Sequence, residues 1–107
     1  MGMKSIRLLG LGAGLSLAMI CATTAAAEPV VAKLQSPLPS AAKPVAGGAV
    51  FECLGDVCAA RAPGPDTPTT RGCKDLARQV GAISSYGPSA RPLTSDQLAH
   101  CNESARK

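Results

Sequence analysis

Aromatic side chains are scarce in this chain of 107 residues, which contains one Phe, one Tyr and no Trp. A chain of this length forms one small domain at most. With so few aromatic rings it lacks the material for a large core, an aromatic-lined ligand pocket or a platform that stacks bases. Length and composition therefore exclude multidomain enzymes, nucleotide-binding α/β folds and multi-span membrane proteins.

Groups that support catalysis are also few. His100 is the only histidine and stands near the end of the chain, where a lone surface imidazole is usually neither a base nor a metal ligand. Ser84 and Ser85 have no base or oxyanion motif near them in the sequence. A glycine-rich phosphate loop and a pair of catalytic carboxylates are missing as well. We therefore expect a protein that is not an enzyme and that binds no metal or cofactor.

Acidic residues are absent from the first 27 positions, where two basic residues precede the apolar stretch Leu8–Cys21. Small residues follow as far as Ala27. A basic N-terminal region, a short apolar stretch and a small-residue A-x-A cleavage motif are typical of a secretory signal peptide. This pattern predicts cleavage between Ala27 and Glu28. The stretch is shorter than the ~20 apolar residues of a membrane span. We expect a periplasmic or secreted protein with no stable span after cleavage.

Lipidation of Cys21 is the alternative to this cleavage. It is disfavoured because Ile20 occupies a position that normally requires Gly, Ala or Ser. Removal of residues 1–27 leaves nine Lys and Arg against seven Asp and Glu, so the mature chain carries a net charge of only +2. Such a mild charge argues against nucleic-acid binding.

Proline divides the mature chain into regions. Residues 28–46 contain Pro29, Pro37, Pro39 and Pro44 without sustained periodicity, which predicts a flexible or extended linker. The folded domain is then expected over residues 47–102, followed by a short tail over residues 103–107.

A β-hairpin is predicted around Gly55-Asp56, because residues 49–53 and 57–61 flank a short turn with glycine at its first position. The two-residue turn pairs Cys53 with Cys58. It also collects the apolar side chains of both strands on one face.

Two helices and a third strand follow. Cys73, Leu76, Ala77 and Val80 recur at helical spacing, with Thr69 or Thr70 as the N-cap and Gly81 at the end. Residues 82–86 read as a short strand. A capping box of Thr94 and Gln97 starts the last helix, which ends after Asn102. The expected fold is a small disulfide-stapled α+β domain of order β-β-α-β-α.

Four cysteines remain after export, Cys53, Cys58, Cys73 and Cys101. An even number in a short secreted chain predicts disulfides, and four cysteines allow three connectivities. In a hairpin, two directly opposite residues that do not hydrogen-bond to each other have their Cα atoms about 4.5 Å apart, which is within the range of a disulfide. This favours Cys53–Cys58 and leaves Cys73–Cys101 to join the helices. A redox site is disfavoured because the close pair is C-x4-C rather than C-x-x-C, and a zinc site because two tight ligand pairs are lacking.

Two further features have a structural and a functional interpretation. Arg71, Lys74 and Arg78 follow helical spacing and would form an anion-binding stripe, but a solvated face with Asp75 paired to Arg71 or Arg78 is the preferred interpretation. Tyr86 is interpreted as a core residue at the end of a strand rather than a recognition aromatic.

Several of these segments together resemble one known pattern. They are the Gly47-Gly48 pair, the C-x-G-x-x-C hairpin, the segments 73–81 and 86–87, and the C-terminal segment 98–102. The pattern resembles a family of small exported proteins of Alphaproteobacteria with a four-cysteine framework and no known function. The resemblance spans Gly47 to Asn102 and implies no activity, cofactor or partner.

The expected function is that of a non-catalytic structural or interaction module of the cell envelope, with an unidentified envelope protein as partner. One alternative is a small inhibitor of an envelope hydrolase, in which the proline-rich loop 62–70 is the reactive segment. A thiol-redox protein is the other alternative.

Overall fold

The computed structural model describes residues 28–107. These residues form two helices and six strands in the order β1 (Val30–Leu34), β2 (Val45–Ala46), β3 (Ala49–Val50), β4 (Glu52–Leu54), β5 (Val57–Ala60), α1 (Thr70–Val80), β6 (Ile83–Gly87) and α2 (Ser95–Asn102). The predicted signal peptide and the Ala27 side of its cleavage site lie outside the described residues. No helix within residues 28–107 is long and apolar enough to cross a membrane.

The region interpreted as a flexible linker, residues 28–46, contains a strand in the middle of the sheet, so that prediction was wrong. The main sheet has the order β4-β5-β1-β6, and β1 pairs antiparallel with both β5 and β6. A proline removes only its own N–H, and Pro29 and Pro37 lie outside β1. Between them, the Val30–Leu34 strand alternates buried and exposed residues, as a half-buried strand requires.

The predicted domain boundaries at 47 and 102 were also too narrow at both ends. The N–H of Arg106 donates to the carbonyl of Ala77 at 2.9 Å, so the final residues fold back onto the end of α1. Ala105 packs against the core. The tail predicted over residues 103–107 is therefore part of the fold: it adds a second donor to the Ala77 carbonyl, which also accepts from the N–H of Gly81.

The hairpin has the register predicted from its turn. Cys53 pairs with Cys58 and Leu54 with Val57 across the turn, whose Gly55 has φ 64°. A second, smaller hairpin of β2 and β3 turns at Gly47-Gly48. Along β3 and β4 buried and exposed residues alternate strictly from Ala49 to Leu54.

Both helices begin where the capping signals predict. Thr69 caps α1 and accepts a hydrogen bond from the N–H of Gly72, and Thr94 caps α2 in a complete capping box with Gln97. The buried face of α1 carries the predicted apolar stripe. Disulfides Cys53–Cys58 and Cys73–Cys101 close the hairpin and join α1 to α2, with Cα–Cα distances of 4.0 and 5.6 Å.

Candidate interaction surface

The side of the sheet that faces away from the core carries an unusual number of apolar side chains. Solvent-facing positions of an antiparallel sheet are normally polar. Here every large hydrophobic side chain that is exposed within residues 28–107 belongs to a strand. Val31, Leu54 and Val57 lie in the main sheet, and Val45 and Val50 lie in the two-stranded sheet of β2 and β3.

The centre of this surface is a block of three strands and two rows, which we call the outer block. Residues directly opposite each other in antiparallel strands share a face. One row runs across β4, β5 and β1 as Leu54, Val57 and Lys33. The second row runs across the same strands as Glu52, Ala59 and Val31.

The four corners of the outer block alternate in character. Leu54 and Val31 occupy one diagonal, and Lys33 and Glu52 occupy the other. Leu54 is 75 % exposed, which is an unfavourable environment for its side chain unless something covers it. Arg61 lies 4.0 Å from Glu52, and both side chains are largely exposed, so this ion pair contributes little to stability.

The edges of the main sheet are protected. At β4 the chain around Ala42 exchanges backbone hydrogen bonds with Cys53 at 2.8 and 3.1 Å. At β6 the Asn102 amide takes the place of a neighbouring strand: it donates to the carbonyl of Ile83 at 2.9 Å and accepts from its N–H at 2.8 Å. Edge positions covered in this way do not recruit a further strand.

A buried polar network lies on the opposite side of the sheet. The Tyr86 hydroxyl donates to the carbonyl of Thr67 at 2.5 Å, and the Thr67 hydroxyl donates to the carbonyl of Gly47 at 2.7 Å. Burial, and secondarily the negative charge of Asp75, raise the pKa of Tyr86 above its ordinary range. The phenol is thereby held in its neutral form as a hydrogen-bond donor, which is a structural role.

This network anchors the proline-rich loop over residues 62–70. Thr67 is fully buried, and its hydroxyl also accepts the N–H of Gly64 at 2.8 Å. The N–H of Thr69 donates to the carbonyl of Asp66 at 3.4 Å. The loop therefore consists of closed turns and is not an extended segment.

The four cysteines predicted as the framework are all bonded and at most 3 % exposed. A disulfide in such surroundings is shielded from attack by an external thiolate. No group of three or more His, Cys, Asp or Glu that would hold a metal ion occurs within residues 28–107.

The other predicted candidates are dispersed. His100 is exposed on α2, with Nδ1 3.6 Å from a carboxylate oxygen of Glu103. In the basic stripe of α1, Arg78 pairs with Asp75 at 2.7 Å, as the preferred interpretation expected. Tyr86 is a buried core residue, 1 % exposed.

An open cavity of about 490 Å³ lies between the proline-rich loop and the segment after β6. Its walls include Pro63, Pro68 and Pro88, with Glu28 and Arg91 as its charged residues. Glu28 is the one carboxylate among its lining residues, with no His, Cys, Ser or second carboxylate beside it, so the cavity lacks the convergent groups of an active site.

Sequence reasoning missed the outer block because one of its three strands is β1, inside the supposed linker. The signal was present in Val30–Leu34, whose alternation places Val31 and Lys33 on one face. The edge contacts of Asn102 had no local signal, since they join positions 19 residues apart.

In a comparison with protein families, the model of a family of unknown function, DUF8200, matches residues 15–103. Comparisons with curated proteins and with solved structures give no match.

Proposed function

Since this chain belongs to the family of unknown function DUF8200, we propose its role from its own surfaces: an exported, non-catalytic interaction module of the cell envelope. The observation that carries this proposal is the uncovered outer side of the sheet. On it the exposed side chains of Leu54, Val57 and Val31 come from three neighbouring strands, β4, β5 and β1. Contiguous apolar surface of this kind is typical of interaction sites.

Export is supported by the composition of the first 27 residues and by the two disulfides. Disulfides persist in oxidising compartments such as the periplasm or the extracellular space. The proposed cleavage between Ala27 and Glu28 releases a chain whose first strand begins only two residues later, at Val30. We further propose that the four-cysteine framework is a property of the family and that its members are exported proteins of Alphaproteobacteria.

An inhibitor of an envelope hydrolase is the weaker of the two binding roles. Its reactive segment would be the loop over residues 62–70, which is rigid because Thr67 anchors it. An inhibitory loop that lies in an enzyme cleft as an added strand needs extended backbone. Turns closed by the contacts of Gly64 with Thr67 and of Asp66 with Thr69 do not supply it.

Site-specific photo-crosslinking tests the interaction role in cells that export the full-length protein. A photoreactive amino acid at Val57 is expected to give discrete adducts, because this position is central to the outer block. The matched control is the same amino acid at Ala99, which is exposed on α2. Equal adducts from both positions, or none from Val57, would contradict the proposal.

Mass measurement of the exported product tests the export part separately. The expected product begins at Glu28 and resists alkylation under native conditions, because all four cysteines are bonded. A product that retains residues 1–27, or one that reacts as a free thiol pair, would contradict the assignment.

A further inference from the structure

The outer block is self-complementary under a two-fold rotation. Its apolar diagonal joins Leu54 to Val31, and its charged diagonal joins Lys33 to Glu52. Consider a two-fold axis that lies in the plane of the contact along the apolar diagonal. This rotation places Leu54 of one copy near Leu54 of the other, and Val31 near Val31. It also places Lys33 of each copy near Glu52 of the other.

This rotation satisfies both kinds of side chain at once. Two-fold interfaces use the same patch on both subunits, so each charge must find its opposite within that patch. Here the Lys33–Glu52 contact occurs twice, once on each side of the apolar centre. The contact with Arg61, at 4.0 Å, leaves the Glu52 side chain 58 % exposed, so its carboxylate can accept a second cation.

We infer that the outer block binds the same block of a second copy of this chain, which gives a face-to-face dimer with reciprocal Lys33–Glu52 ion pairs. This inference rests on the proposed interaction role and names the partner. Two sheets that stack in this way bury their facing apolar side chains between them, as in a β-sandwich. The helices of each copy then lie on the outside of the dimer.

The size of the surface sets the strength of the dimer. The three strands of the outer block, about 4.8 Å apart and three to five residues long at about 3.4 Å each, present roughly 200 Å² of sheet. Stable complexes bury about 800 Å² on each partner. We therefore expect a weak dimer whose population depends on protein concentration.

Analytical ultracentrifugation of the exported, oxidised protein tests this inference. The weight-average mass is expected to rise from monomer towards dimer between about 10 μM and about 1 mM. Leu54→Ser is expected to raise the dissociation constant by about tenfold or more, because the dimer contains this side chain twice. Ala99→Ser on α2 is the control and leaves the constant unchanged.

Charge reversal tests the geometry itself. Lys33→Glu and Glu52→Lys each place like charges at both reciprocal contacts and are expected to weaken the dimer by about tenfold. An equimolar mixture of the two variants restores opposite charges at both contacts and is expected to form a heterodimer. Arg71→Glu on α1 makes the same net charge change as Lys33→Glu and leaves dimerisation unchanged.

Either of two results from ultracentrifugation would overturn the dimer. One is a monomer mass over the whole concentration range. The other is a mixture of the reversed variants that associates no better than either variant alone. All substituted positions are exposed, so an unchanged circular dichroism spectrum is expected for every variant. Crosslinks from Val57 to other envelope components, without crosslinked dimer, would refute the second copy as partner and leave the interaction role intact.

Discussion

The hydroxyl of Tyr86 donates a hydrogen bond of 2.5 Å to the carbonyl of Thr67, and both residues are buried. Thr67 belongs to the proline-rich loop and Tyr86 to the sheet, so this bond joins the loop to the sheet. Because Tyr86 is the only tyrosine in the chain, its contribution and its titration are both accessible to measurement.

Tyr86→Phe is expected to lower the free energy of unfolding by about 1–3 kcal/mol, because the buried carbonyl of Thr67 loses its donor while the ring still fits. Denaturation by urea measures the loss. Ser85→Ala, on the exposed side of the same strand, is the control and should change stability by less than about 0.5 kcal/mol. Equal stability of wild type and Tyr86→Phe would refute a structural role for the bond.

Alkaline pH is expected to destabilise the protein through the same group. The folded-state pKa of Tyr86 lies above its unfolded value near 10, so its contribution is complete below about pH 10 and is lost as pH rises further. Ultraviolet absorbance should show no tyrosinate while the fold persists, and Tyr86→Phe should lack this pH dependence. A native titration near pH 10 would contradict the burial of the phenol.

Gly72→Ala is expected to destabilise the protein by about 2 kcal/mol or more, although alanine favours helices. A Cβ at Gly72 would lie 2.4 Å from the carbonyl oxygen of Thr67 and 2.7 Å from that of Asp66. Gly64→Ala is the matched control, because its Cβ would make only an ordinary contact with Thr67. Thermal unfolding compares the two, and similar losses would contradict the close approach.

Asn102→Ala is expected to lower the free energy of unfolding by about 1–3 kcal/mol, because the N–H and carbonyl of Ile83 both lose their partner. The uncovered edge of β6 should also increase aggregation. His100→Ala changes an exposed residue of the same helix and should have little effect on either property. Light scattering and urea denaturation make the comparison; equal behaviour of both variants would contradict the edge contact.

Loss of the Cys73–Cys101 bridge is expected to cost more stability than loss of Cys53–Cys58. The cysteines lie 28 and 5 positions apart, so chain entropy gives about 3.6 and about 2 kcal/mol. A core of this size supplies only about 3–5 kcal/mol, so reduction of both bridges should unfold the domain. Paired Cys→Ala variants and circular dichroism in excess reductant test this; an unchanged spectrum after complete reduction would contradict it.

Local signals were sufficient for the second half of the fold. The turn at Gly55-Asp56 set the hairpin register, and the capping residues Thr69 and Thr94 set the helix starts. These features depend on residues within a few positions of each other, so a sequence pattern records them directly. The hairpin register also indicated Cys53–Cys58 as the close disulfide pair.

The remaining features depend on contacts between distant parts of the chain. Val30–Leu34 becomes the central strand only because β5 and β6 supply partners on both sides, and its flanking prolines concealed it. The outer block likewise exists only once β1 lies beside β5.

The amino-acid sequence by itself determined the hairpin and both helices, since each rests on neighbouring residues. Tertiary structure alone decided that the supposed linker completes the sheet and that its Lys33 shares a face with Leu54 and Glu52. The physical reason is that a strand acquires its partners from long-range hydrogen bonds, whose positions short-range patterns do not record.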